Sequence, residues 1–225
     1  MNKVYSVAID GPAGAGKSTM ARRAAAELNF VYVDTGAIYR TVAYAVLKSG
    51  ILPEEAEKID ALLPRLRVKL SWKDGVQHTY LGGADVSKKI RLPEVSSMAS
   101  KVSALPSVRA FLLDTQRNVA ETNSVIMDGR DIGTVVLPNA DVKIYLSASA
   151  EVRAKRRFLE LQAQGRNDVY EDVLKDMIER DYRDMHREIA PLRQADDAVL
   201  LDTSELSLEE SVAALLKIIR EKLAL

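Results

Sequence analysis

Short apolar runs punctuate this chain, and between them apolar side chains recur at the three-or-four-residue spacing of amphipathic helices. Residues 4–9 form the first run; it is β-branched and ends at Asp10-Gly11-Pro12, as a buried strand entering a turn would. From Lys17 onward Met20, Ala24 and Leu28 share one stripe flanked by Ala21 and Ala25, which predicts a helix. Asn29 suits a left-handed helix end, and residues 30–33 follow as a second strand. Residues 36–49 are helical again, with Ile38, Val42, Ala45 and Val46 on one side and Gly50 as the stop.

The rhythm changes between residues 53 and 92. Pro53-Glu54-Glu55 opens a short helix, after which Leu66, Val68, Leu70 and Trp72 alternate with polar residues. Lys73-Asp74-Gly75 is a turn signal, residues 76–81 a second strand, and Gly82-Gly83 another turn. This predicts a small antiparallel excursion set between helices. Residues 99–122 carry helical pattern, broken near Pro106. Three further apolar runs, 125–127, 142–146 and 199–201, read as buried strands. Charged helices at 151–164 and 170–189 lie between the last two, joined by Gly165-Arg166-Asn167-Asp168. Asp168 with Glu171, and Ser207 with Glu210, have capping-box spacing, and Pro191 is expected to close the second charged helix. Five buried-type strands alternating with helices predict an α/β fold around a parallel sheet.

Composition then removes function classes. The 225 residues suggest one domain with excursions, and 47% apolar content is ample for a packed core. With no cysteine, the chain has no disulfide framework, thiolate metal site or thiol nucleophile. His78 and His186 are its only histidines, too few for a multi-histidine metal site, and surface or packing roles are expected for both. Basic and acidic residues balance at 32 each, so no global field steers the chain to nucleic acid or an anionic membrane. Met1-Asn2-Lys3 leads into a run too brief for a secretion signal or a membrane span of about 20 residues. The expectation is a cytoplasmic protein without nucleic-acid or membrane partners. Neutral charge and no evident exposed apolar stripe make it a monomer.

Anion binding must therefore be local. Gly11-Pro12-Ala13-Gly14-Ala15-Gly16-Lys17-Ser18 fits G-x-x-x-x-G-K-[ST] between a predicted strand and a predicted helix. Glycine and other small residues let successive backbone N–H groups approach phosphate oxygens, and the helix points its positive end at the same place. Lys17 reaches the terminal phosphates, and the Ser18 hydroxyl can ligate Mg²⁺. A nucleoside triphosphate site is expected.

The motif alone leaves kinase, switch and motor open, and arginines discriminate. A kinase whose acceptor is itself a phosphate must neutralise two polyanions and the transferring group. Arg40 follows the second strand, and Arg130 lies in Asp128-Gly129-Arg130-Asp131 just beyond the third. Between residues 153 and 166, Arg153, Lys155, Arg156, Arg157 and Arg166 face one acid, Glu160; Arg180, Asp184 and Arg187 fall at i, i+4 and i+7. Taken singly these are ordinary: a solvated charged helix, an intrahelical ion-pair ladder, a strand-end ion pair. The phosphate loop raises them together.

Four stretches in order resemble bacterial cytidylate kinases: residues 10–17, Asp34-Thr35-Gly36-Ala37-Ile38-Tyr39-Arg40, residues 128–136, and Glu179-Arg180-Asp181 with Pro191-Leu192. The resemblance spans essentially the whole chain. Many members have Ser at Thr35 and Gly at Ser18, which leaves open whether Ser18 or Thr19 faces the metal. It implies a P-loop three-layer fold with a five-stranded parallel sheet, an inserted antiparallel subdomain that binds the nucleoside monophosphate, and a helical lid. The core is expected at 1–35, 104–150 and 191–225, the subdomain at about 36–103 and the lid at about 151–190.

By resemblance the reaction moves the γ-phosphoryl of ATP to CMP or dCMP, with Mg²⁺. Gly11, Pro12, Ala13, Gly14, Ala15, Gly16, Lys17, Ser18 and Thr19 would hold ATP. Thr35 would lie at the acceptor, and Arg40, Arg130 and Arg187 would meet its phosphate. Arg180 and Asp184 would lie near the sugar, while Ser100, Arg109 and Asp131 would read cytosine. Cytosine's chemistry agrees: a carboxylate can accept from its exocyclic amine and an arginine can donate to its ring acceptors, whereas uracil reverses part of that pattern. Arg153 and Arg157, one helical turn apart, are expected to swing onto the transferring phosphate as the lid closes. Lys17, Arg130, Arg153, Arg157 and Arg187 form the expected catalytic set. A UMP/CMP kinase, or a kinase for another small acceptor, stays open. A GTPase-type switch would want an Asn-Lys-x-Asp motif, and the chain has none.

Overall fold

A computed structural model describes residues 3–225, so Met1 and Asn2 of the expected core lie outside the described residues. Five strands pair in parallel: β1 (Ser6–Asp10), β2 (Val31–Asp34), β6 (Val125–Gly129), β7 (Val142–Ser147) and β8 (Val199–Asp202). Their order is β2-β6-β1-β7-β8, which places β1 at the centre with β6 and β7 beside it. The alternation of each strand sorts its side chains to two faces. Val7, Ile9, Ile126, Ile144 and Leu146 pack with Met20 and Ala24 of α1 (Lys17–Leu28) and Leu215 and Ile219 of α8 (Leu208–Leu223). Ala8, Val33, Val125 and Met127 pack on the other face with Leu113 and Val119 of α5 (Pro106–Thr122). Helices thus cover both faces, as buried parallel strands require.

Helix ends follow the local signals. Asn29 is left-handed at φ 54° after α1, and Gly50 is at φ 66° after α2 (Thr35–Lys48). Ser207 and Glu210 form the reciprocal capping box of α8. Asp168 and Glu171 do not. Asp168 bonds the Arg166 guanidinium at 2.8 Å, and α7 (Tyr170–His186) starts after Val169 without a side-chain cap. Pro191 does not close α7 either: the helix ends at His186, three residues before the expected 189, and Ala190 turns left-handed at φ 49°.

The excursion is a three-stranded antiparallel sheet, β3 (Val68–Lys73), β4 (Val76–Leu81) and a two-residue β5 (Ala84–Asp85) that the sequence pattern missed. Asp74 and Gly75 both have positive φ in the β3–β4 turn, as a tight hairpin with right-handed twist demands. The helical region after it starts earlier than expected, at Pro93 in α4 (Pro93–Val102), and restarts at Pro106 in α5. Ile59 from α3 (Ala56–Leu62), Ile90, Val95, Val102 and Leu112 give this part its own core against Ile38 and Val42 of α2.

The hairpin is tied to the exposed edge of the main sheet. Trp72 Nε1 donates to the Tyr32 carbonyl at 2.8 Å, and the Gln77 carboxamide bonds both Asp34 N and Asp34 O, at 2.8 and 3.2 Å. Side chains of β3 and β4 therefore satisfy edge groups of β2 that would otherwise face water. On the opposite flank α6 (Ala150–Ala163) and α7 pair around Ala154, Leu161, Val173 and Met177. The outer side of α7 differs from expectation: Ile178, Tyr182, Met185 and, just past its end, Ile189 form an exposed apolar stripe. Of the two grounds for expecting a monomer, the absence of an exposed apolar stripe is thereby removed.

Trp72 is the sole tryptophan, so its fluorescence reports the hairpin's docking. Because the hairpin is bonded to β2, urea unfolding followed by Trp72 fluorescence should coincide with unfolding followed by far-UV circular dichroism. A fluorescence transition at clearly lower urea would show that the hairpin detaches on its own.

Candidate active site

The loop after β1 is shaped by steric necessity. Gly11 has φ 148°, and a Cβ there would lie 2.0 Å from the Leu146 carbonyl oxygen, so no side chain fits where β7 ends. Gly16, at φ 85°, turns the chain into α1. Lys17 is buried, and its ammonium donates to the Gly11 and Pro12 carbonyls at 2.7 and 2.6 Å. Burial, and then the Arg130 guanidinium, hold Lys17 well below the usual lysine range. A cation folded onto its own loop and crowded by arginine is poised to take an anion.

Carboxylates ring this loop. Asp128, at the end of β6, accepts from Ser18 Oγ at 2.8 Å and Tyr32 Oη at 2.9 Å, and Thr35 Oγ1 donates to its backbone carbonyl at 2.7 Å. Burial, reinforced by Asp34, pushes the Asp128 carboxyl up. Ser18 thus turns toward the site, while Thr19 is exposed. Asp10 accepts from the Ile132 and Gly133 amides at 2.8 and 2.7 Å, which locks a π-helical turn (Ile132–Val136) onto β1. Nothing in the sequence pattern announced that turn.

The sequence-selected arginines come together at the carboxyl ends of the strands, though each is held differently. Arg40 pairs with Asp34 at 3.0 Å, and Arg130 pairs with Asp184 at 2.9 Å and bonds the Gly129 carbonyl. Arg187 donates to the Ala190 carbonyl at 2.7 Å and lies 3.5 Å from Asp131, to which Arg109 also donates. Arg109 lies over the Tyr39 ring, 5.5 Å from its centroid, so Tyr39 supports this arginine from α2. Arg180 is pulled down to about 10, by burial first and then by Arg130. Buried polar atoms without partners include Arg40 Nε, Arg180 Nε and Ser100 Oγ. Buried donors are normally satisfied, so these mark places for a ligand's acceptors.

Arg153 and Arg157 part company. Arg153 is buried and bonds the Ala13 carbonyl at 2.8 Å, the Ala148 carbonyl at 2.8 Å and Asp181 at 2.6 Å. Asp181 in turn accepts from Ala13 N, so both α6 and α7 are clasped to the loop after β1. Arg157 is exposed and pairs with Glu160 at 3.1 Å. His78 pairs with Asp85 inside the antiparallel sheet, and His186 stacks on Tyr182 on the outside of α7. Arg91 was not singled out by the sequence, since no motif contains it; it pairs with Asp34 at 2.7 Å. Among the described residues, no group of three or more His, Cys, Asp and Glu side chains could hold a metal unaided.

A G-x-x-x-x-G-K-[ST] loop between strand and helix, flanked by arginines from α2, from the end of β6 and from α7, defines a P-loop kinase. The fold agrees: shikimate kinase from Bacteroides thetaiotaomicron superposes with TM-score 0.51 at 14% identity, covering 99% of this chain and 100% of that one. A model of the family "Cytidylate kinase" matches residues 7–221. The cytidylate kinase of Caldicellulosiruptor bescii is 49% identical over 216 residues, 96% of each chain. That of Carboxydothermus hydrogenoformans is 50% identical over 216 residues, 96% of this chain and 97% of its own. The chain belongs to the cytidylate kinase family, and it is a phosphotransferase.

Asp10 offers a test of the electrostatics. Its carboxyl is pushed up to about 6, mainly by burial, with the Gly133 and Ile132 amides pulling it back. In the window from about pH 4 to about pH 6, the folded chain keeps a proton that an ordinary aspartate has released, so Asp10's contribution to stability falls as pH rises through it. In urea unfolding, the stability gap between the parent and Asp10→Asn should be wider near about pH 4.5 than near about pH 7. A gap that is constant, or wider at neutral pH, contradicts this environment.

Proposed function

We propose that the chain transfers the γ-phosphoryl group of ATP to CMP or dCMP, giving the diphosphate and ADP, as a cytoplasmic enzyme of pyrimidine nucleotide metabolism. The observation that carries this reading is the arginine set with unfilled valences opposite the phosphate loop: Arg40 Nε and Arg180 Nε are buried without partners. No helix among the described residues is long and apolar enough to cross a membrane.

Roles follow from position. Gly11 to Ser18 cradle the triphosphate, with Thr19 at the helix start. Lys17 leaves its loop carbonyls for the β- and γ-phosphates, exchanging two neutral partners for charged ones. Arg40, Arg130 and Arg187 hold the acceptor phosphate, Thr35 lines its approach, and Arg180 and Asp184 flank the sugar. Ser100, Arg109 and Asp131 read the base. The acceptor oxygen is already anionic, so no strong general base is needed; positioning and charge neutralisation supply the rate. Residues 36–103 act as the acceptor-binding subdomain and 151–190 as the lid, with Arg157 at its exposed face approaching the transferring group on closure.

Mg²⁺ fits the donors present. Ser18 Oγ and Asp128 Oδ2 sit 2.8 Å apart, and both are hard oxygens of the kind the ion takes alongside water and phosphate. When bound it would neutralise charge on the phosphates. Ser18 would hold it directly, and Asp128 would orient its water.

A coupled assay with ATP and a panel of monophosphates tests the reaction: product should form with CMP and dCMP and far less with UMP. Acceptor-independent hydrolysis would contradict it. Asp131→Asn removes the carboxylate that accepts from the cytosine amine and should narrow the CMP-to-UMP ratio of kcat/KM by about tenfold, equivalent to about 1.4 kcal/mol of discrimination. An unchanged ratio would assign base selectivity elsewhere.

A further inference from the structure

Asp34 carries more cation than it can neutralise. Its carboxylate accepts from Arg40 at 3.0 Å and from Arg91 at 2.7 Å, both on Oδ2, while Oδ1 caps α2 through the Ala37 amide at 2.9 Å. One negative charge thus serves two guanidinium groups. Arg40 rises from α2, inside the site, whereas Arg91 comes from the inserted subdomain, at the end of a short 3₁₀ turn (Lys89–Arg91).

The two arginines differ in freedom. Arg40's side chain is 18% exposed, but Arg91's is 54% exposed, so its head can leave Asp34 at little cost. Its backbone cannot drift. Ile90, 1% exposed, pins the turn in the core shared by α2 and α4. Asp34 is equally fixed, because the Gln77 carboxamide holds both its backbone N and O. A mobile guanidinium on a rigid turn beside Arg40 is placed to follow a second anion.

We infer that Arg91 is a further acceptor-binding residue, through which the inserted subdomain grips the phosphate of the nucleoside monophosphate beside Arg40. This rests on the reaction proposed above. The phosphate of CMP carries nearly two charges at neutral pH, and a dianion that binds Arg40 neutralises the excess left at Asp34. Shifting Arg91 from the shared carboxylate to the phosphate exchanges one charge-assisted pair for another.

Calorimetric titration with CMP and with cytidine, which lacks the phosphate, tests the inference. Arg91→Ala should weaken CMP binding about tenfold, the loss of one charge-assisted hydrogen bond, and leave cytidine binding within about twofold. Arg91→Lys should recover part of the loss, and ATP binding should not change. Unaltered CMP affinity, or equal weakening of CMP and cytidine, would overturn it. Repeating Arg91→Ala in an Asp34→Asn background separates direct contact from support: the CMP loss should persist, and its disappearance would reduce Arg91 to a prop for Asp34. A parent chain that binds CMP no better than cytidine would instead overturn the proposed reaction, and this inference with it.

Discussion

Burying cationic side chains at one end of a parallel sheet is the constraint from which this architecture follows. Lys17, Arg109 and Arg153 are buried, and Arg40, Arg130, Arg180 and Arg187 lie largely inside. A charge taken from water must be paired and hydrogen-bonded or it destabilises the fold by several kcal/mol. Asp34, Asp131, Asp181 and Asp184 supply ion-pair partners for Arg40, Arg109, Arg187, Arg153 and Arg130, and Asp34 and Asp131 each serve two guanidinium groups. Lys17 makes do with loop carbonyls. The site is therefore a set of buried cations held by shared carboxylates and loop carbonyls.

The same carboxylates fasten the peripheral elements to the main sheet. Asp181 and Arg153 tie α7 and α6 to the loop after β1, Asp184 and Arg130 tie α7 to β6, and Asp34 with Gln77 ties the antiparallel sheet to β2.

Much of the fold was legible because it rests on local rules. Short continuous apolar runs gave the buried strands, alternation and the Asp74-Gly75 turn gave the hairpin, and Asn29, Gly50 and the Ser207–Glu210 box gave helix ends. What was illegible depends on partners distant in the chain. Arg153 looked like one of a pair with Arg157 by spacing, yet its environment is set by Asp181 and Ala13 from two other elements. Asp168 fitted a capping box but met the adjacent Arg166 instead, because a charge-assisted pair competes well with a cap in an exposed loop. Arg91 lies in no motif, and only the folding of residues 89–91 against α2 brings it to Asp34. The candidate site was legible as a phosphate cradle plus a surplus of arginines; which carboxylate restrains which arginine was not.

The central claim is that the loop lysine and the acceptor arginines face one continuous anionic path. It is tested most directly by calorimetric binding of a bisubstrate ligand, adenosine and cytidine joined through five phosphates. The account predicts that this ligand binds at least about a hundredfold more tightly than ATP or CMP alone, as joining two ligands that occupy adjacent sites should produce. Affinity no better than that of ATP would contradict it.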